Sequence, residues 1–164
     1  MSGEIFRLAA DMAAAHASAA ELFAIVLSVI GPRMPPTASI LHIGATAIAG
    51  CLTKGDLDIV VRVMPEDFTA ADVALGDLFA RNDGSIRTAA FAAFSDESST
   101  PPLGIQLTAI GGAFDDFHVF AERMAARPDL VARYNSLKRI HDGQPMSDYR
   151  EAKARFITEI LAAD

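Results

Sequence analysis

The sequence predicts an α+β fold: a mixed β-sheet flanked by helices, followed by a helical C-terminal third. Two β-rich runs, residues 38–43 and 56–63 (DLDIVVRV), lie close together in the first half and carry branched side chains that suit a pleated surface. Two more, 86–94 and 103–110, flank a polar loop, SDESSTPP. Beyond Asp115 the pattern turns to acid-started apolar segments with no further strand signal.

Taken in order, residues 4–9 fit either a short strand or the start of a helix. Residues 14–30 are Ala-rich, then strongly apolar, and read as a helix ended by Gly31 and Pro32. GPRMPPT is a loop. Gly44 to Gly55, between the first two strands, is a turn with room for one helical turn. Residues 65–81 read as helix, with Pro65 in the first turn and Asp67 beside it. In the last third, Asp115 and Asp116 mark one helix N-terminus and Asp129 after Pro128 a second. Ser147 with Asp148 marks a third, after Gly143 and Pro145.

Composition bounds the function. A chain of 164 residues fits one domain, 1–164, with a substantial core. With 51% hydrophobic and 21% charged residues it matches an ordinary soluble protein. A net charge of -7 argues against broad nucleic-acid binding, while leaving a local basic patch open. Cys51 is the single cysteine, so no internal disulfide forms and a reducing cytoplasm is the expected location. No apolar run reaches the roughly 18 residues of a membrane span. MSGEIFRLAADMAAAHASAAE lacks the basic and apolar regions of a secretory signal, so no membrane association is expected.

The chemistry concentrates in ILHIGATAIAGCLTKGDLDIVVRV, residues 40–63. Asp56 and Asp58 stand two apart on a strand, and residues i and i+2 point the same way. At that spacing two carboxylates repel by roughly 2–3 kcal/mol at an effective dielectric near 20. A half-buried pair calls for a cation, and a hard divalent metal with oxygen ligands is the natural candidate. The bland reading is a solvated strand start.

These residues carry a family resemblance. HIGATAIAGCLTKGDLDI resembles the signature of the GrpB-like proteins, a branch of the nucleotidyltransferase superfamily, in which His-Ile-Gly-Ser-Thr-Ala-Val-Pro-Gly precedes a lysine and a strand Asp. His42, Ile43, Gly44, Thr46, Ala47, Gly50, Lys54 and Asp58 fall at matching positions. Downstream, FAERMAARPDLVARYNSLKR is similar to a second family run through Phe120, Pro128, Tyr134, Leu137 and Lys138, with Tyr149, Lys153 and Phe156 as its close.

The resemblance implies a nucleotidyltransferase-like fold and a site on named residues. Asp56 and Asp58 would hold Mg²⁺ (or Mn²⁺) and act as the catalytic pair. Gly44, Ala45 and Thr46 would bring backbone N–H groups to a nucleoside triphosphate. Lys54, Gln106, Lys138 and Lys153 are further substrate-binding candidates. Each has a plainer alternative: a solvated loop lysine for Lys54, a strand polar residue for Gln106 and Thr108, and helix-surface or capping roles for Lys138 and Lys153. His42 reads as a structural histidine before a catalytic base, and Cys51 as a packing residue. Arg133 and Arg139 read as surface charges.

Three departures stand out. Ala45 replaces the family serine, Ala49 its proline, and neither 86–94 nor 103–110 carries an acid, Gln106 and Thr108 standing where the family shows His-x-His. Two function classes follow: a Mg²⁺-dependent nucleotidyltransferase acting on a nucleoside triphosphate and an unknown acceptor, or a catalytically inactive nucleotide- or metabolite-binding module of the same fold. Neither the nucleotide nor the oligomeric state is set by the sequence.

Overall fold

A computed structural model describes residues 3–163. A five-stranded mixed sheet in the order β1-β2-β5-β4-β3 lies between two helical layers. Its strands are β1 (Ser39–Ile43), β2 (Leu57–Val63), β3 (Ala80–Arg81), β4 (Phe91–Asp96) and β5 (Leu103–Ala109). Only β2 and β5 run parallel, in the register Asp58↔Gly104 and Val60↔Gln106. The other neighbours are antiparallel.

Alternation along β2 and β5 gives each sheet face its own task. Leu57, Ile59, Val61, Val63, Leu103, Ile105 and Leu107 form the main core with Ala19, Val26 and Ile30 of α1 (Met12–Ile30) and Ala71 and Leu75 of α2 (Phe68–Leu78). The opposite face carries Asp58, Val60 and Arg62 beside Gly104, Gln106 and Thr108. It meets α3 (Phe117–Ala126), α4 (Pro128–His141) and α5 (Met146–Ala162), which share a second core of Met124, Leu130, Tyr134, Phe156 and Ile160 with Ile48 and Cys51. The N-terminal segment straps this layer: Phe6 N–H donates to the Gln144 carbonyl at 2.9 Å and the Phe6 ring stacks on Tyr149 at 3.7 Å.

The α+β architecture and most elements agree with the sequence, including a 3-10 turn at Ala45–Ala47 inside the Gly44–Gly55 segment. Four boundaries need correction. The segment 65–81 is a 3-10 turn at Pro65–Asp67, then α2, which stops at Leu78 so that Ala80–Arg81 can pair with β4. The sheet therefore has five strands where the sequence suggests four. β4 starts at Phe91 because Thr88 and Ala90 close a turn, Thr88 N–H donating to the Phe91 carbonyl and Ala90 N–H to Thr88 Oγ1. Ile5 of the ambiguous 4–9 segment bridges Pro145 in antiparallel fashion. The last helix starts at Met146, with Pro145 at its N-cap and no side-chain capping bond.

One expectation on apolar runs is overturned. The helical stretch Met12–Arg33, with a mean hydropathy of 1.8, is long and apolar enough to cross a membrane. Scattered Ser, His16 and Glu21 interrupt the run in sequence without lowering its average far. Ala19, Val26 and Ile30 are buried on the sheet, whereas Ile25, Leu27 and Val29 are exposed.

Asp115 is more than a helix N-terminal acid. It accepts from Arg62 Nε at 2.6 Å and Nη2 at 2.7 Å, and from Gly111 N–H at 2.9 Å. Its side chain is only 5% exposed, so this fork ties β2 to the start of the helical layer with little solvent screening. The Arg62 hydrogen bonds, outweighing burial, hold the Asp115 carboxyl down at about 2. A depressed carboxyl stabilises the fold above its unfolded value, and that stability is lost as pH falls through its folded value. Asp115→Asn is expected to cost about 2 kcal/mol at pH 7 and to flatten the acid limb of a pH-dependent unfolding curve below pH ~4.

Candidate functional site

The site lies where the N-terminal end of β2 meets the 3-10 turn after β1. Gly44, at φ +77°, reverses the chain in a conformation that favours glycine. His42 and Thr46 pin this turn. Thr46 Oγ1 donates to the Asp56 carbonyl at 3.1 Å, so its oxygen accepts from His42 Nε2 at 2.8 Å. Burial, with a contribution from His16, lowers the His42 pKa, which keeps the ring neutral near pH 7. His42 is thus a fastener between the turn and the strand, as its structural reading expects.

Asp56 and Asp58 both line one cleft of about 520 Å³, together with Lys54, Gln106 and Lys153. The two carboxylates are not alike. Asp56 is 30% exposed and pairs with Lys54 Nζ at 2.9 Å. Asp58 is wedged between two glycines: a Cβ on Gly44 would sit 2.8 Å from Oδ2, and one on Gly104 would sit 2.9 Å from Oδ1. No hydrogen bond from a described residue reaches its side chain within 3.5 Å. Burial raises its pKa, against the pull of Lys153 and with a smaller push from Asp56.

The other candidates fall on or near this cleft. Ala45 and Gln106 line it, and Gln106 stands beside Val60 on the same sheet face as Asp58. Lys153 comes from α5 and Lys54 from the loop before β2. Thr46 is buried in the turn, and its hydroxyl is committed to the Asp56 carbonyl. Thr108 lies deeper, buried against Asp115 at 3.3 Å, outside the cleft.

Lys138 departs from the surface or capping role. It is 2% exposed, donates to the Leu52 carbonyl at 2.6 Å and lies 4.0 Å from the Tyr134 ring centroid. Burial, against the Cys51 thiol, lowers its pKa to about 8. Asn135, one turn away, donates to the Gly50 carbonyl and accepts from Leu52 N–H. Helix α4 thus clamps the loop that leads into the Asp pair. Nothing at residues 50–52 announces this in sequence, because the partners lie over eighty positions away. The glycine at 104 also went unremarked; a lone Gly in a strand signals a close approach, here that of Asp58.

Residues 10–163 match the family described as GrpB protein. The chain belongs to the GrpB protein family. A UPF0157 protein of Vibrio cholerae is 35% identical over 127 residues, spanning 77% of this chain and 67% of that one. The crystal structure of conserved protein GrpB from Enterococcus faecalis superposes with a TM-score of 0.67 at 14% identity, over 87% of this chain and 90% of that one, which shows the shared GrpB fold. A MgATP-bound form of the Cid1 poly(U) polymerase overlaps more loosely, with a TM-score of 0.48 at 12% identity over 80% of this chain and 41% of that one.

The wedged carboxylate has a measurable consequence. A raised carboxyl favours the fold only at low pH, and that contribution is lost as pH rises through its folded value. In the folded chain no described residue donates a hydrogen bond to the Asp58 carboxyl, and burial pushes its pKa up. Asp58→Asn is expected to raise the melting temperature of the ligand-free protein by a few degrees at pH 7, with the gain closing as the pH is lowered. An equal or lower melting temperature for the variant at pH 7 would refute the assignment.

Proposed function

We propose that this chain is a metal-dependent nucleotidyltransferase. It moves a nucleoside monophosphate from a nucleoside triphosphate to an acceptor, with Mg²⁺ or Mn²⁺ held by Asp56 and Asp58. The observation that carries this reading is the donor-less Asp58 carboxylate, beside Asp56, in a cleft that lysines line. The donor set fits such an ion. Two carboxylates are hard oxygen ligands, and Mg²⁺ is commonly held by one or two of them with substrate phosphates completing its shell.

An ion held by Asp56 and Asp58 would supply electrostatic stabilisation of the charge that develops on the leaving pyrophosphate. The protein's own groups do the remaining work. Lys153 and Lys54, which both line the cleft, would neutralise phosphate charge. Gln106, on the neighbouring strand, offers an amide to a phosphate or sugar oxygen. Gly44 keeps the turn close enough for the backbone at Ala45 to approach the phosphates. The acceptor oxygen bonds to the α-phosphorus as the α-phosphorus bond to the pyrophosphate oxygen breaks, and the acceptor proton leaves to solvent.

A second reading, a catalytically inactive binding module, draws on two observations. Lys54 already neutralises Asp56 at 2.9 Å. Among the described residues, no group of three His, Cys, Asp or Glu is placed to hold a metal. In that case Lys54 takes the place of the ion.

Thermal stability with ATP, GTP, CTP or UTP, each with and without Mg²⁺ or Mn²⁺, separates the two. Transferase chemistry predicts a stabilisation of several degrees that needs nucleotide and metal together and vanishes in Asp56→Asn/Asp58→Asn. The binding module predicts a response to nucleotide alone that Lys54→Met weakens at least tenfold. A flat response at millimolar nucleotide refutes the transferase and the nucleotide-binding form of the module, and leaves a metabolite as its ligand. Gln106→Asp places an acid on β5, on the same sheet face as Asp58, and is expected to tighten Mn²⁺ binding by an order of magnitude, measured by titration calorimetry.

A further inference from the structure

A second cavity of about 480 Å³ opens beside the first, and its character is different. Its walls are Ile43, Phe117, Phe120, Ile157 and Leu161, from β1, α3 and α5. The two cavities share Ala45, Asp58, Gln106, Tyr134 and Lys153, so they meet at the wedged carboxylate. Gly104 lines the polar cleft and Gly44 the apolar one. Oδ1 of Asp58 lies on the Gly104 side and Oδ2 on the Gly44 side, and the carboxylate borders both cavities.

We infer that the apolar cavity binds a neutral amphipathic alcohol, whose hydrocarbon body lies among Phe117, Phe120, Ile157 and Leu161 and whose hydroxyl donates to Asp58 Oδ2. Three features select this class. The walls offer a body-sized apolar surface with few polar groups to satisfy a nucleobase edge. The floor presents an acceptor without a donor, the complement of a hydroxyl. Asp58 and Asp116 outnumber Lys153 among the charged groups of the cavity's lining, which disfavours an anionic ligand there. The role of this alcohol as the acceptor rests on the proposed transferase reading; its binding does not.

The test titrates butan-1-ol, hexan-1-ol and octan-1-ol into the full chain, without nucleotide or metal, and follows the methyl resonances of Ile157 and Leu161. Affinity should rise about fourfold per added methylene, the transfer value for a buried CH₂. Ala154→Phe, at an exposed position of α5 that lines the cavity, should fill it and weaken octan-1-ol at least tenfold. The variant's melting temperature and its nucleotide–metal response, both unchanged, show that it is folded and that the polar cleft is intact. Binding that ignores chain length, or that survives Ala154→Phe, overturns the inference, as does the absence of any shift at the solubility limit of octan-1-ol. Alcohol binding without a nucleotide–metal response leaves the inference standing and refutes the transferase reading; the reverse pattern refutes the inference alone.

Discussion

A carboxylate held between two layers of structure without a hydrogen-bond donor organises much of this molecule. Burial of a carboxyl is costly unless partners offset it, and Asp58 has the nearby charge of Lys153 but no hydrogen-bond donor among the described residues. Three features answer to it. Gly44 and Gly104 leave space that any Cβ would take. Lys153 reaches the same cleft from the last helix. The helical third covers this face of the sheet and keeps it half-dry, where the opposite face is sealed by aliphatic side chains. The cost borne at Asp58 is met by the opposite face, whose strands bury Leu57, Ile59, Val61 and Ile105 completely.

What the sequence reveals and what it hides divides along the range of the interactions. The Asp pair, the reversing glycine and the sheet-plus-helices plan are local signals: alternation on a strand, a small-residue turn, caps and breakers. They are legible because each is written within a few residues. Burial of Lys138 is not. In sequence it stands in a polar helix end, RYNSLKRIH, while in the fold the Leu52 carbonyl, the Cys51 sulfur and the Tyr134 ring receive its ammonium. The Arg62–Asp115 fork and the Asn135 clamp are of the same kind. The two-residue β3 is hidden for another reason. Ala80–Arg81 continues a helical pattern, and its pairing with β4 is accompanied by Arg81 forking onto Asp72 at 2.8 and 2.9 Å.

Those long-range contacts tie the site to the helical third. Residues 50–52 lead from the 3-10 turn to Lys54 and Asp56, and both Asn135 and Lys138 of α4 grip their backbone. Tyr134, on the same helix, lines both cavities and stacks on Phe156 at 4.9 Å. A shift of α4 would therefore move the loop and the shared wall together. This arrangement suits a site in which filling one cavity is felt in the other, since packed interiors transmit displacement better than they absorb it.

Charge in the polar cleft points to the same conclusion from a different side. Asp56 and Asp58 face Lys54 and Lys153, which leaves their immediate surroundings near neutrality. Lys138 and Arg150 also line the cleft and are matched by Glu4 and Glu97, so its formal charges balance. A bare divalent cation gains little there, because it must compete with Lys54 for Asp56. A metal-bound polyphosphate gains more: it brings the cation to the carboxylates and a negative group to the lysines thus released. On the transferase reading proposed above, the Lys54–Asp56 pair would act as a selector that disfavours free metal and admits metal and phosphate together.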